Sequence, residues 1–516
     1  MNKISAFSPS FAQGLLKAMV PAALLLAGCG GSSDDTATAG TAGTAPPPAA
    51  TVPAANPTAP ANPAPAANPA NPAGADTRLQ DSLVFTLDQS TLPFGPLAGA
   101  AVETDRWAGV LNGSGYRIEV PRNWNGRLVM YAHGYEGLDP GLKVSDIPIR
   151  RHLIENGYAW AASTFSKNGY DVRAGVEDTN ALALAFTTIA AQNNRALPAP
   201  SRIYIVGASM GGHVAAAAVE RETQATARNK VAYNGVVSMC GVVGDTELFN
   251  YANAYQLAAQ YIAGQPAASF PVTDFDSKED DIKKELWLLY PSILTDKGRQ
   301  LRSAFINLTG GPRPVAEDSF KLKPLQEGVW RRFGDNGTLE GVLNKNVVDT
   351  RGFVYQLDDD PAQSAAEQAM NASILRVTPA PDANPLRADG LRWVPKVNGQ
   401  FSVPVVTIHG LGDLFVPFSM QQIYKRRAQT NGSDQWLVQR AIRAPGHCDF
   451  TNAEQVEAFQ AMVNWEQTGV KPAGDDVLTP AVVANPAYGC TFTRNAAGAD
   501  DSTAIDVSRR LMPSCP

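Results

Sequence analysis

The segment Ile203-Tyr204-Ile205-Val206-Gly207-Ala208-Ser209-Met210-Gly211-Gly212 sets one serine between two glycines, after an apolar β-type run and before an alanine-rich helical stretch from His213 to Glu222. So tight a strand-to-helix turn needs small neighbours, because a side chain at Gly207 or Gly211 would crowd its backbone. The hydroxyl is then pushed out at a helix N-terminus, where amides and the helix dipole favour developing negative charge. A serine attacks a carbonyl only when a base takes its proton. The pattern therefore requires a histidine, and a carboxylate behind it, further along the chain.

Five histidines are available, so the base can be found by elimination. His133 and His409 each precede a glycine directly after a strand-like run, His152 lies in a helical stretch, and His213 follows Ser209 by four residues in the same helix. His447, in Ala444-Pro445-Gly446-His447, stands on a loop rich in turn residues and is the expected base. For the acid, Val405-Val406-Thr407-Ile408-His409-Gly410-Leu411-Gly412-Asp413 places Asp413 just past a strand end, within reach of a base. Asp449 is the alternative, but a residue two positions from the base is poorly placed to bond the imidazole from behind. The chain order is then Ser209, Asp413, His447.

From about residue 104, short apolar runs alternate with helical stretches, which predicts a mostly parallel sheet covered by helices. Strands are expected at 116–120, 127–132, 159–164, 202–207, 235–240, 403–408 and 436–442, and helices at 145–155, 176–194, 210–223, 419–430 and 452–467. About 160 residues between Cys240 and Val403 break that alternation, too many for a structureless loop. Amphipathic stretches at 278–290 and 363–376 mark this part as an inserted, mainly helical cap. The expected division is a catalytic core of residues 77–244 and 396–470, a cap of 245–395, and a C-terminal tail of 471–516.

The glycine-flanked serine, the His133-Gly134 loop, the Asp413 loop and the His447 loop together resemble the α/β-hydrolase superfamily over residues 104–470. The resemblance implies a parallel-dominated sheet of eight strands and hydrolysis through an acyl-enzyme. It also implies an oxyanion hole made by two backbone amides, here those of Tyr135 and Met210. Gly446-His447-Cys448 is similar to the His-Cys pair of the tannase and feruloyl-esterase family, which has a cysteine directly before its serine where this chain has Ala208.

The N-terminus carries Lys3 and Lys17, then an apolar run from Ala18 to Ala27, the layout of a secretory signal peptide and too short for a membrane span. Leu26-Ala27-Gly28-Cys29 resembles a bacterial lipobox, so residues 1–28 are expected to be removed and Cys29 lipidated, with the exported protein anchored to the cell envelope at the outer membrane or released outside the cell. Residues 29–76 then form an Ala/Pro-rich tether, with too little apolar surface to offset the entropy of ordering. Four cysteines remain, and export into an oxidising compartment makes two disulfides of them. Cys240 ends the strand after the serine helix, and Cys448 adjoins the base. Both belong near Ser209, which pairs Cys240 with Cys448 and leaves Cys490 with Cys515.

A net charge of −6 supplies no basic excess for phosphates, which argues against a nucleic-acid partner. No cysteine or histidine spacing suggests a metal, and no cofactor is expected. An ester substrate is the first expectation, since an alcohol leaving group needs the least further help. A peptidase of the prolyl-oligopeptidase type is the second, with Glu279-Asp280-Asp281 or Asp358-Asp359-Asp360 as its amino-terminus anchor. An inactive binding protein on the same scaffold is the third. Trp287, Tyr290, Trp330 and Phe353 are candidate acyl-pocket residues.

Overall fold

The computed structural model describes residues 78–330, 336–513 and 515–516; the expected signal peptide, lipidated Cys29 and tether lie outside them. Ten strands occur among the described residues: β1 Thr104–Leu111, β2 Ser114–Pro121, β3 Arg127–Ala132, β4 Ala159–Ser163, β5 Arg202–Ala208, β6 Gly235–Met239, β7 Trp287–Leu289, β8 Ile293–Leu294, β9 Val405–Gly410 and β10 Leu437–Ile442. Eight of them form one sheet in the order β1-β2-β4-β3-β5-β6-β9-β10, and β7 and β8 pair separately as a hairpin. β2 is antiparallel to both β1 and β4, and every other pairing in the large sheet is parallel. With helices on its two faces this is the α/β-hydrolase fold.

The inner strands are near-continuous apolar runs because both of their faces are covered. Alternate residues of β3 serve two cores. Leu128, Met130 and Ala132 pack with Val176 and Phe186 of the helix Val172–Gln192 and with Val214 of the helix Met210–Ala218. Val129 and Tyr131 pack with Leu153 of the helix Arg150–Glu155 and with Phe459 and Met462 of the helix Asn452–Thr468. β1 has no place among the expected strands. Its residues Asp105 and Arg106 break the apolar signal, as suits an edge strand, and its local mark is the turn Asn112-Gly113, both residues at positive φ, that folds β1 onto β2.

Between β6 and β9 the described chain holds six helices, Glu247–Ala263, Phe275–Leu286, Asp296–Leu308, Ala316–Phe320, Lys323–Trp330 and Ala365–Ser373. The first five cluster before residue 331, and from residue 336 on the insertion is mostly turns and irregular chain, so the expected mainly helical cap is helical only in its first half. The helix expected over 278–290 ends at Leu286, where the chain turns into the β7–β8 hairpin. Phe249, Tyr255, Phe305 and Phe320 of this insertion share one apolar cluster with the sheet residues Met130, Ile205 and Val405. The insertion is thus continuous with the core of the sheet.

The C-terminal segment departs from the expected tail. It holds the helices Pro480–Val483 and Thr503–Leu511, and Arg509 is buried in an ion pair with Glu454 at 2.8 Å. The same guanidinium donates to the carbonyls of Arg443 and Asp449, at 2.8 and 2.6 Å, and so secures the loop that carries His447. This packing was hidden in the sequence because charged groups make much of it, and apolar periodicity does not report such contacts.

Candidate functional site

β5 delivers Ser209 to the top of the sheet, and the helix Met210–Ala218 begins at the next residue. Ser209 takes φ 58° and ψ −121°, a strained conformation for a residue with a side chain, of the kind that persists where the surroundings enforce it. Here the enforcing contacts are backbone. A Cβ at Gly207 would fall 1.9 Å from the Gly211 carbonyl oxygen, and one at Gly211 would fall 1.9 Å from that of Ala132. The Ser209 amide donates to the Met239 carbonyl at 3.0 Å, which ties the turn to the end of β6.

His447 comes to this serine from the loop after β10. Its Nε2 lies 2.7 Å from Ser209 Oγ and its Nδ1 lies 2.6 Å from Asp413 Oδ2. A carboxylate only accepts, so Nδ1 carries the proton and Nε2 is left to receive one from the hydroxyl. Asp413 is buried, and its Oδ1 accepts from the amides of Phe415 and Val416, each at 2.9 Å. Both carboxylate oxygens are thereby assigned. Asp449, the alternative acid, accepts instead from Ser508 at 2.6 Å.

Two struts hold the acid loop: His409, whose place before a glycine at a strand end suits a structural role, and Arg313, which no sequence signal marks. His409 donates from Nε2 to the Val416 carbonyl at 2.8 Å and accepts from Gln421 at 3.1 Å. Burial pushes its pKa below the usual histidine range against the opposing charge of Asp413, so it is a neutral strut. Arg313, from the insertion, donates to the Leu411 carbonyl at 2.6 Å, the Gly311 carbonyl at 2.8 Å and Thr309 Oγ1 at 3.0 Å. Burial lowers its pKa to about 10, with Tyr251 and Asp413 opposing, and it stays charged at neutral pH.

On the other side of Ser209 runs the loop after β3. A Cβ on Gly134 would lie 3.5 Å from that of Ser209, so the backbone passes directly beside the serine. His133 Nδ1 donates to the Gly134 carbonyl at 2.7 Å, and its ring stacks on Phe165 with centroids 4.0 Å apart. In a planar trans peptide the carbonyl and the next amide point opposite ways, so the bond to the Gly134 oxygen restrains the Tyr135 N–H from one end of the peptide. Met210 occupies the first helical position, where an amide has no acceptor within the helix.

Cys240 and Cys448 form a disulfide with Cα atoms 5.3 Å apart, and Cys490 and Cys515 form another at 5.9 Å. Cys448 Sγ lies 3.5 Å from His447 Nε2. Cys240, Cys448 and His447 bring three ligand-type atoms within 4.8 Å of one another, but the bridge consumes both sulfurs and leaves one imidazole as a ligand. The bridge fastens the His447 loop to the end of β6. Selective reduction of Cys240–Cys448 is therefore expected to lower kcat several-fold before the fold is lost, read by assay and circular dichroism on one titration with reductant. A kcat that stays constant until unfolding would contradict that role.

Trp287 stacks on Phe320 and meets the Tyr290 ring edge-on, inside the insertion's core. Phe353 is half-buried against the main core, and Trp330 has no described side chain. Asp280, Asp281, Asp358, Asp359 and Asp360 are exposed. The Phe415 ring lies beside that of His447, with centroids 5.5 Å apart.

No family model matches the chain. Among curated proteins it is similar to an o-phthalyl amidase of Xanthobacter agilis, 24% identical over 430 residues that span 72% of this chain and 90% of the amidase. Among solved structures it is similar to feruloyl esterase B from Aspergillus oryzae, with a TM-score of 0.44 and 16% identity, covering 76% of this chain and 86% of that one. An esterase from Aspergillus oryzae gives a TM-score of 0.40 and 15% identity, covering 72% and 81% respectively.

Proposed function

We propose that the chain is a serine hydrolase that cleaves carboxylic esters through an acyl-enzyme. The observation that carries this reading is the unbroken line of hydrogen bonds from Asp413 through His447 to Ser209 Oγ, at 2.6 and 2.7 Å. In the proposed reaction Ser209 Oγ attacks the carbonyl carbon while His447 Nε2 takes its proton, and Asp413 stabilises the imidazolium. The carbonyl oxygen becomes an oxyanion that the Tyr135 and Met210 amides receive. His447 returns the proton to the departing alcohol, and water then cleaves the acyl-enzyme with the same base.

An amide substrate is the second reading, and the similarity to an amidase favours it. The same groups serve both reactions, but an amine leaves only when protonated, so protonation by His447 weighs more heavily there. A matched pair, the p-nitrophenyl ester and the p-nitroanilide of one acyl group, separates the readings. The ester reading expects kcat/KM for the ester to exceed that for the anilide by at least a hundredfold, beyond their difference in intrinsic reactivity. A higher kcat/KM for the anilide would reverse the assignment.

The two disulfides fit an oxidising compartment. Export with a lipid on Cys29, the tether holding the enzyme off the membrane, completes the proposal.

A further inference from the structure

One side chain of the insertion reaches the loop beside the serine. Glu340 accepts a hydrogen bond from the Tyr135 hydroxyl at 2.5 Å, across 205 residues of sequence. It is presented by a turn, Leu339-Glu340-Gly341, whose three residues have φ of 49°, 56° and 81°. Two consecutive non-glycine residues at positive φ are strained and persist only under constraint from their surroundings. That constraint is visible on both sides of the turn: Leu339 is fully buried, and the Gly341 carbonyl accepts from the Gln80 amide at 3.1 Å.

We propose that Glu340 is a positioning residue for the oxyanion hole, acting through Tyr135, a reading that rests on the hydrolase assignment above. An amide that stabilises an oxyanion must already point at it, because reorientation during the reaction forfeits the gain. The Gly134–Tyr135 peptide adjoins a glycine, which by itself leaves the backbone free. His133 fixes the carbonyl end of this peptide, at the Gly134 oxygen. Glu340 fixes the other end, by holding the Tyr135 side chain. With both ends held, rotation of the peptide plane is blocked. Burial raises the Tyr135 phenol, so it stays protonated and can donate, and raises the Glu340 carboxyl to about 7. The insertion is then part of the oxyanion machinery.

The test uses the full chain and four variants: Tyr135→Phe, Glu340→Ala, Glu340→Gln and the double variant Tyr135→Phe/Glu340→Ala. Kinetics with p-nitrophenyl acetate are paired with inhibition by an aliphatic trifluoromethyl ketone, which adds to a serine and places an oxyanion in the hole. Tyr135→Phe and Glu340→Ala are each expected to lower kcat about tenfold, within the range known for misplaced catalytic groups, with KM little changed. Ketone affinity should fall by the same factor as kcat. The double variant should be no worse than either single one, since both remove the same bond. Glu340→Gln should recover most of the loss, because its amide oxygen accepts the same hydrogen bond.

Losses that multiply in the double variant would overturn the proposal. So would a Tyr135→Phe enzyme with wild-type kcat, or a fall in melting temperature without weaker ketone binding. If Glu340→Ala fails to fold, Tyr135→Phe, which removes one hydroxyl, carries the test alone. A wild-type chain inert towards every ester and amide would sink the hydrolase reading itself; an active wild type with an unaffected Tyr135→Phe sinks only this inference.

Discussion

Ser209→Ala is expected to lower kcat about a million-fold and to leave the fold intact, and His447→Ala to cost about as much, since nucleophile and base act as one unit. Alanine keeps the β-carbon of serine, so the strained turn at φ 58° is neither relieved nor worsened, and the Ser209 amide still reaches the Met239 carbonyl. What disappears is one oxygen, 2.7 Å from His447 Nε2. Turnover of p-nitrophenyl acetate, with a thermal melt on the same sample, measures both halves. Retention of more than a few per cent of wild-type turnover by Ser209→Ala would remove the serine from its role.

Asp413→Asn is the second large effect, a loss of about ten-thousand-fold in kcat. The local geometry dictates its sign. Oδ1 accepts from two amides, those of Phe415 and Val416, so an asparagine must keep its oxygen there and turn its NH2 towards His447. A donor facing Nδ1 forces the imidazole proton onto Nε2, which then cannot accept from Ser209. The variant should fold as wild type does and bind substrate with a similar KM. Activity within tenfold of wild type would contradict the assignment of Asp413.

What the sequence made legible was whatever rests on local chemistry. The turn around Ser209 could be read because strand, glycines and helix are contiguous, and each glycine is demanded by a clash with named backbone atoms. The strands β3, β5, β6 and β9 could be read because burial on both faces leaves nearly continuous apolar runs. β1 was missed because an edge strand carries charge, although Asn112-Gly113 marked its hairpin.

Contacts between distant residues leave no local pattern, and the structure supplies these. Arg313 on the Leu411 carbonyl, Glu340 on Tyr135 and Arg509 on the His447 loop each join segments that nothing in composition or spacing connects. Even so, the Cys240 and Cys448 positions could be brought together on paper. Each adjoins an element whose place is set by Ser209: one ends the next strand, and the other follows the base.

The most direct test of the account is to treat the full chain with a fluorophosphonate and map the adduct by peptide mass spectrometry. Such a probe phosphonylates a serine only where a base and an oxyanion site act on it together. The expected result is one adduct on Ser209, abolished in Ser209→Ala and strongly slowed in His447→Ala. An adduct on a different residue, or none in a preparation that hydrolyses p-nitrophenyl acetate, would contradict it.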